Sequence, residues 1–202
     1  MTIAAEPEVL QLGPDDNGLL LTPAEFDVAV FEDGWCYELI RGVLIVSPAP
    51  SRKERDANEE LGMWLRVYAE QHPQGSVLDA TVSEEMIQVG DQRRRADRAI
   101  WTGLGGLPGS SDPPTIVAEF VSAGRRNRRR DYEEKRSEYL AIGVREYWVI
   151  DRFRRTLTVF APTAAGHRTT TVSEDQVYTT PLLPGFKLPL TRLLQLADRW
   201  ED

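Results

Sequence analysis

Three carboxylates lie in runs whose apolar alternation turns them inward. In Cys36-Tyr37-Glu38-Leu39-Ile40, successive side chains take opposite faces, so Glu38 shares a side with Cys36 and Ile40. By the same rule Asp97 goes with Ala99 and Trp101 in Arg95–Trp101, and Glu119 with Val117 and Val121 in Thr115–Val121. A carboxylate among apolar groups is costly unless it is protonated, paired or bound to metal. A partner arginine or an edge position answers for any one of these acids; three together point to a shared cation site. Lys135 adds to this. On a helix over residues 127–142, with about 100° per residue, Tyr132, Tyr139 and Ile142 share a face. Lys135 projects between them, Arg136 lies nearer the edge and Arg130 points away. A core-facing lysine needs a counter-charge, which Glu119 on the preceding strand offers; the alternative is to snorkel to water. Two acids holding a hard divalent cation such as Mg²⁺ or Mn²⁺, with a lysine nearby, are suited to phosphodiester cleavage. The ion polarises the ester and activates water, and the ammonium stabilises developing negative charge.

The elements that must position these groups can be followed along the chain. Residues 1–21 are rich in Pro, Gly, Asp and Glu and read as a loose N-terminal arm, leaving 22–202 as one domain. Thr22-Pro23-Ala24-Glu25 is a capping box with proline at the first helical position. Tyr37–Ile40 and Val43–Ser47, separated by Arg41-Gly42, read as a hairpin. After Pro50, Ala57, Leu61, Trp64, Leu65 and Tyr68 recur at helical spacing, predicting a helix that ends at His72-Pro73. Strands are expected at Ser76–Thr81, Glu84–Val89, Arg95–Trp101 and Thr115–Val121. A helix over 127–142, stopped by Gly143, a second hairpin (Glu146–Ile150 and Thr156–Ala161) and an amphipathic helix over Leu190–Trp200 follow. The expected class is α/β or α+β, a mixed central β-sheet flanked by helices. Gly103-Leu104-Gly105-Gly106 lacks the Gly-Lys-Ser/Thr of a phosphate loop and reads as a connector.

The chain has 202 residues, 24 basic and 32 acidic, for a net charge of −8. That balance looks wrong for a nucleic-acid partner until it is divided, because Asp91–Arg136 carries +4 and the remainder −12. Arg125, Arg126, Arg128 and Arg129 form either a solvated helix start or an anion-binding patch for flanking phosphates. A single cysteine, Cys36, excludes an internal disulfide framework and suits a reducing cytoplasm. Two histidines, His72 and His167, argue against structural zinc. No run is apolar enough to span a bilayer, and the acidic start does not read as a secretion signal. Trp200 could serve a contact in a homodimer.

These residues also resemble a known family. Tyr37-Glu38-Leu39-Ile40-Arg41-Gly42-Val43-Leu44, Ser47-Pro48-Ala49-Pro50 and Val117-Ala118-Glu119-Phe120-Val121-Ser122 are similar to motifs of the bacterial Uma-type restriction-endonuclease-like proteins. So are Arg130-Asp131 with Lys135, Tyr139 and Gly143-Val144, and the string Glu146-Tyr147-Trp148-Val149-Ile150-Asp151. The resemblance covers about residues 22–195 and implies a PD-(D/E)xK nuclease fold with a mixed sheet between helices. It makes Asp97 the first motif acid and Glu119 the second, both metal ligands. Lys135 would be the motif lysine supplied from the following helix, since Val121 stands where the general motif has it. Glu38 becomes a further ligand or water-orienting group. The chain departs from the family pattern at Ala96, at Ser51-Arg52-Lys53-Glu54-Arg55 and at Ser122-Ala123.

Three accounts remain open on sequence. The first is an endonuclease that hydrolyses DNA with Mg²⁺ or Mn²⁺. The second is an inactive nuclease-fold module that binds nucleic acid or protein. The third is an acid-pair enzyme such as a glycosidase, whose carboxylates need neither metal nor lysine.

Overall fold

The computed structural model describes residues 9–200, which divide into two compact units. The first comprises the chain up to Ala49 together with Met86–Arg95; the second comprises Pro50–Glu85 and the chain from Ala96.

In the first unit, strand β1 (Gln11–Leu12) pairs in parallel with β2 (Val30–Phe31). Between them, helix α1 (Pro23–Val28) starts on the Thr22 cap: Thr22 Oγ1 accepts from the Glu25 amide, and Glu25 returns a carboxylate to the Thr22 amide. Strands β3 (Trp35–Ile40) and β4 (Val43–Pro48) form the expected hairpin. Arg41 and Gly42 both take positive φ, 53° and 76°, as a two-residue turn between twisted strands requires. Leu12, Leu21, Phe26, Tyr37, Leu39 and Leu44 form this unit's core. The arm expected over residues 1–21 is therefore anchored at Leu12 and Leu21, which have apolar partners that composition does not reveal, while Asn17–Leu20 between them is exposed. Residues 1–8 of that expected arm lie outside the described residues.

The second unit holds a sheet in the order β10-β9-β8-β7-β6, with β5 also pairing with β6. Its strands are β5 (Leu78–Val89), β6 (Gln92–Thr102), β7 (Ile116–Phe120), β8 (Glu146–Asp151), β9 (Thr156–Thr163) and β10 (Gly166–Ser173). The ends of β5 and β6 that flank their turn belong to the first unit. The sheet is mixed: β7 and β8 run parallel, whereas β6–β7, β8–β9 and β9–β10 are antiparallel. Ser76–Thr81 and Glu84–Val89, expected as separate strands, are one strand. Glu84 interrupts it with a positive φ of 55° but does not end it.

Alternation gives this sheet two different faces. Ile100, Ala118, Phe120, Trp148 and Ile150 face α2 (Arg52–Gln71) and α5 (Leu190–Asp198), packing against Ala57, Leu61, Leu65, Leu193 and Leu194. The opposite face receives the crossover between the parallel strands β7 and β8. That crossover is α3 (Arg125–Arg129), a π-helical stretch over Arg130–Lys135 and α4 (Arg136–Ala141), which follow one another without a break. The single helix expected over 127–142 is thus a composite.

Polar groups tie α2 to β6. Arg98 donates from Nε to Asn58 Oδ1 at 2.6 Å, from Nη2 to the Asn58 carbonyl and from Nη1 to Thr81. Asn58 in turn donates to the Asp97 carbonyl at 2.7 Å. Gly62, one turn along α2, leaves room for the guanidinium: a Cβ there would stand 2.6 Å from Arg98 Nη2. Gly62→Ala is therefore expected to push Arg98 off its acceptors and cost about 1–3 kcal/mol, read by urea denaturation.

Glu146 opens the most telling string of the sequence, and it is held in place by neutral donors: Trp148 Nε1, Tyr178 hydroxyl and Thr180 hydroxyl, at 2.8–2.9 Å. In the glycine-rich loop, the amides of Leu104, Gly105 and Gly106 donate to Asp79, so an internal carboxylate occupies that nest. Trp200 packs at home, donating to Asp56, with the Arg52 guanidinium over its ring. Among the described residues no helix is long and apolar enough to cross a membrane.

Candidate active site

Strands β6 and β7 pair antiparallel through Arg98–Ala118, Ala99–Val117 and Ile100–Ile116. Carrying that register one step further sets Asp97 opposite Glu119, on the sheet face covered by the crossover helix. The Phe120 amide donates to Asp97 Oδ2 at 2.6 Å, and Asp97 Oδ1 has no hydrogen-bond donor among the described residues. Glu119, only 2% exposed, is held at both oxygens by one cation: Lys135 Nζ lies 2.9 Å from Oε1 and 2.9 Å from Oε2. Lys135 is itself 3% exposed. The Tyr139 hydroxyl donates to the same Oε1 at 3.3 Å.

The helix reaches this geometry through its π-helical stretch. In an α-helix, residues four apart drift by about 40° around the axis. The wider i→i+5 turn over Arg130–Lys135 offsets that drift and brings Asp131, Lys135 and Tyr139 onto one buried stripe. The widened turn needs an outside donor for its backbone, and the Tyr147 hydroxyl supplies one to the Asp131 carbonyl at 2.9 Å. Tyr147→Phe leaves that buried carbonyl without the hydroxyl. The expected cost is about 1–3 kcal/mol in denaturation, with a loosened Lys135.

The electrostatics follow from burial. Burial pushes the Asp97 carboxyl up to about 7, further raised by Glu84 and Asp131 and opposed by Lys135 and the Phe120 amide. Burial also drives Glu119 well above the ordinary carboxylate range, with Lys135 opposing and Asp97 and Asp131 adding to the rise. Asp131, 1% exposed and salt-bridged to Arg130 at 3.2 Å, is thus a third acid at this site. Sequence reasoning placed it in a motif and gave it no role. Its four-residue spacing to Lys135 is the available signal.

Two neighbouring carboxylates whose proton affinities are both raised, one with an oxygen that lacks a donor, suit a hard dication. Among the described residues no group of three or more His, Cys, Asp or Glu side chains is arranged to hold a metal. An ion here would draw its remaining ligands from water and substrate, as Mg²⁺ commonly does.

Residues 23–191 match the sequence profile of Uma2, described as "Putative restriction endonuclease". The chain belongs to the Uma2 family. Among solved structures it is similar to a crystal structure from Anabaena variabilis described as a putative nuclease, with a TM-score of 0.70 and 18% identity. That match covers 88% of this chain and 99% of the other; at such identity it is a likeness of fold. The comparison with curated proteins gives no match.

The remaining candidates of this Uma2 chain have partners of their own. Glu38, in the first unit, is 5% exposed; it accepts from the Arg95 amide at 3.0 Å and faces the fully buried Arg94 guanidinium at 3.9 Å. The structure therefore gathers Asp97, Glu119 and Lys135, and gives Glu38 the Arg94 guanidinium and the Arg95 amide within its own unit. The arginine run disperses. Arg129 pairs on the surface with Glu133 and Glu134, and Arg130 with Asp131. Arg125 is exposed at the start of α3, and the side chain of Arg126 lies outside the described residues. Arg128 turns to Asp151 at 3.5 Å and to the ring of Phe153.

Proposed function

We propose that this Uma2 protein is a divalent-metal-dependent endonuclease that hydrolyses phosphodiester bonds of DNA. The observation that carries the reading is the Glu119–Lys135 pair, buried on the face where the strand register sets Asp97. A half-buried acid set beside an ion pair, with one amide as its donor, is a place where a further cation is stabilising. Asp97 and Glu119 would hold Mg²⁺ or Mn²⁺, which supplies an activated water and polarises the scissile phosphate. Lys135 orients Glu119 through both oxygens and sets a positive charge where the phosphorane accumulates negative charge. Asp131 and Tyr147 hold the helix turn that aims it.

One observation favours a second reading, a module that binds nucleic acid without cutting it: Lys135 already satisfies both oxygens of Glu119 without a metal. Cleavage of plasmid and single-stranded DNA in Mg²⁺, Mn²⁺ or EDTA, with Asp97→Ala as the paired control, separates the two. Cutting that needs metal and disappears with Asp97 is the expected result. DNA binding by folded protein without any cutting would favour the module, and equal cutting by both proteins would defeat the site assignment.

A further inference from the structure

The β8–β9 turn carries a feature that the catalytic cluster does not use. Asp151-Arg152-Phe153-Arg154 crosses the end of the sheet with Phe153 44% exposed, and two guanidiniums crowd that ring: Arg152 at 4.1 Å and Arg128 at 5.9 Å from its centre. Arg154 stands over the Tyr132 ring at 5.2 Å. One acid serves the group. Asp151 is fully buried; it accepts from the Phe153 and Arg154 amides and from the Tyr132 hydroxyl, and lies 3.5 Å from Arg128 and 3.8 Å from Arg154. The Nε atoms of Arg128 and Arg152 are buried without a hydrogen-bond acceptor among the described residues. Three guanidiniums against one carboxylate leave a local surplus of positive charge on a chain whose net charge is −8.

We propose that Arg128, Arg152, Arg154 and Phe153 form a seat for an unpaired nucleotide, so that the substrate is single-stranded or locally unpaired DNA. Arginine side chains that stay partly exposed, Arg128 at 33% and Arg154 at 57%, suit phosphate oxygens, and an exposed ring flanked by guanidinium planes suits a splayed base. A base inside a duplex offers no free face to such a platform. Arg128 lies seven residues before Lys135 on the same helical run, about 10 Å along the axis, a few nucleotides from the cluster at 3.4 Å per step. The inference rests on the nuclease reading and specifies its substrate.

The test is fluorescence anisotropy of a labelled 20-nucleotide oligothymidylate and a 20-base-pair duplex, in EDTA, against the full chain and its Phe153→Ala and Arg152→Gln variants. The expected result is tighter binding of the single strand. Phe153→Ala should weaken it about tenfold at an unchanged salt slope, and Arg152→Gln should lower that slope by about 0.7. Phe153 is half exposed, so its variant is expected to keep the wild-type melting temperature. Should it unfold, Arg152→Gln decides alone. Equal binding of both DNAs, no binding, or folded variants that bind as the wild type does would overturn the proposal. Tight single-strand binding without metal-dependent cutting would instead defeat the nuclease reading and leave this seat standing.

Discussion

Lys135→Met is expected to destabilise the metal-free protein by about 3–5 kcal/mol, because it strands a carboxylate that is 2% exposed. The loss comes from Glu119, which must then take a proton or remain charged with the Tyr139 hydroxyl as its neutral donor. Glu119→Gln combined with Lys135→Met should recover much of that stability, since no buried charge is then uncompensated; urea denaturation of the three variants measures it. Activity should follow a different rule. Both the single and the double variant should lose cleavage by about 10²–10³-fold, because each removes the charge that faces the developing anion. Recovered stability without recovered cleavage is the expected signature. A fully active Lys135→Met protein would show that the lysine only packs.

The second large effect is a stability gain. In the unfolded chain Asp97 titrates near its ordinary value of 3.8, and in the folded chain near 7. Between those pH values the folded protein keeps a proton that the unfolded chain has released. Folding stability of the metal-free wild type therefore falls as pH rises through about 4 to 7, and levels off above. Asp97→Asn keeps an oxygen to accept from the Phe120 amide and removes the titration. Its advantage should be absent near pH 3.5 and reach about 2–4 kcal/mol above pH 7, or roughly 5–15 °C in Tm. Calorimetric scans at pH 3.5, 5.5 and 8 in EDTA measure it. A constant difference at all three would mean that the change acts through packing.

Local rules carried the reading furthest where one element settles the answer. Thr22 caps α1 through its own helix, Arg41-Gly42 turns its own hairpin, and period-two alternation turns Asp97 and Glu119 to one face. Lys135 emerged from helical projection because lysines are scarce and Glu119 lay on the preceding strand. What escaped depends on contacts distant in sequence. The π-helical turn is held by Tyr147, Glu84 bends β5 without ending it, and Leu12 is buried by residues beyond its own segment. Asp131 was hidden by the same turn: ideal α-helical spacing does not align it with both Lys135 and Tyr139. The arginine run read as one patch because sequence spacing conceals Asp151 and Phe153, which draw Arg128 away from Arg129 and Arg130.

The most direct test of the central claim is calorimetric titration of Mn²⁺ into the protein at pH 8, where Asp97 is ionised, beside Asp97→Asn and Glu119→Gln. The expected result is a saturable site on the wild type that is lost in Asp97→Asn and weakened in Glu119→Gln, with both variants folded. Wild-type binding that persists unchanged in both variants, or no binding at millimolar Mn²⁺, would contradict a cation site at these two acids.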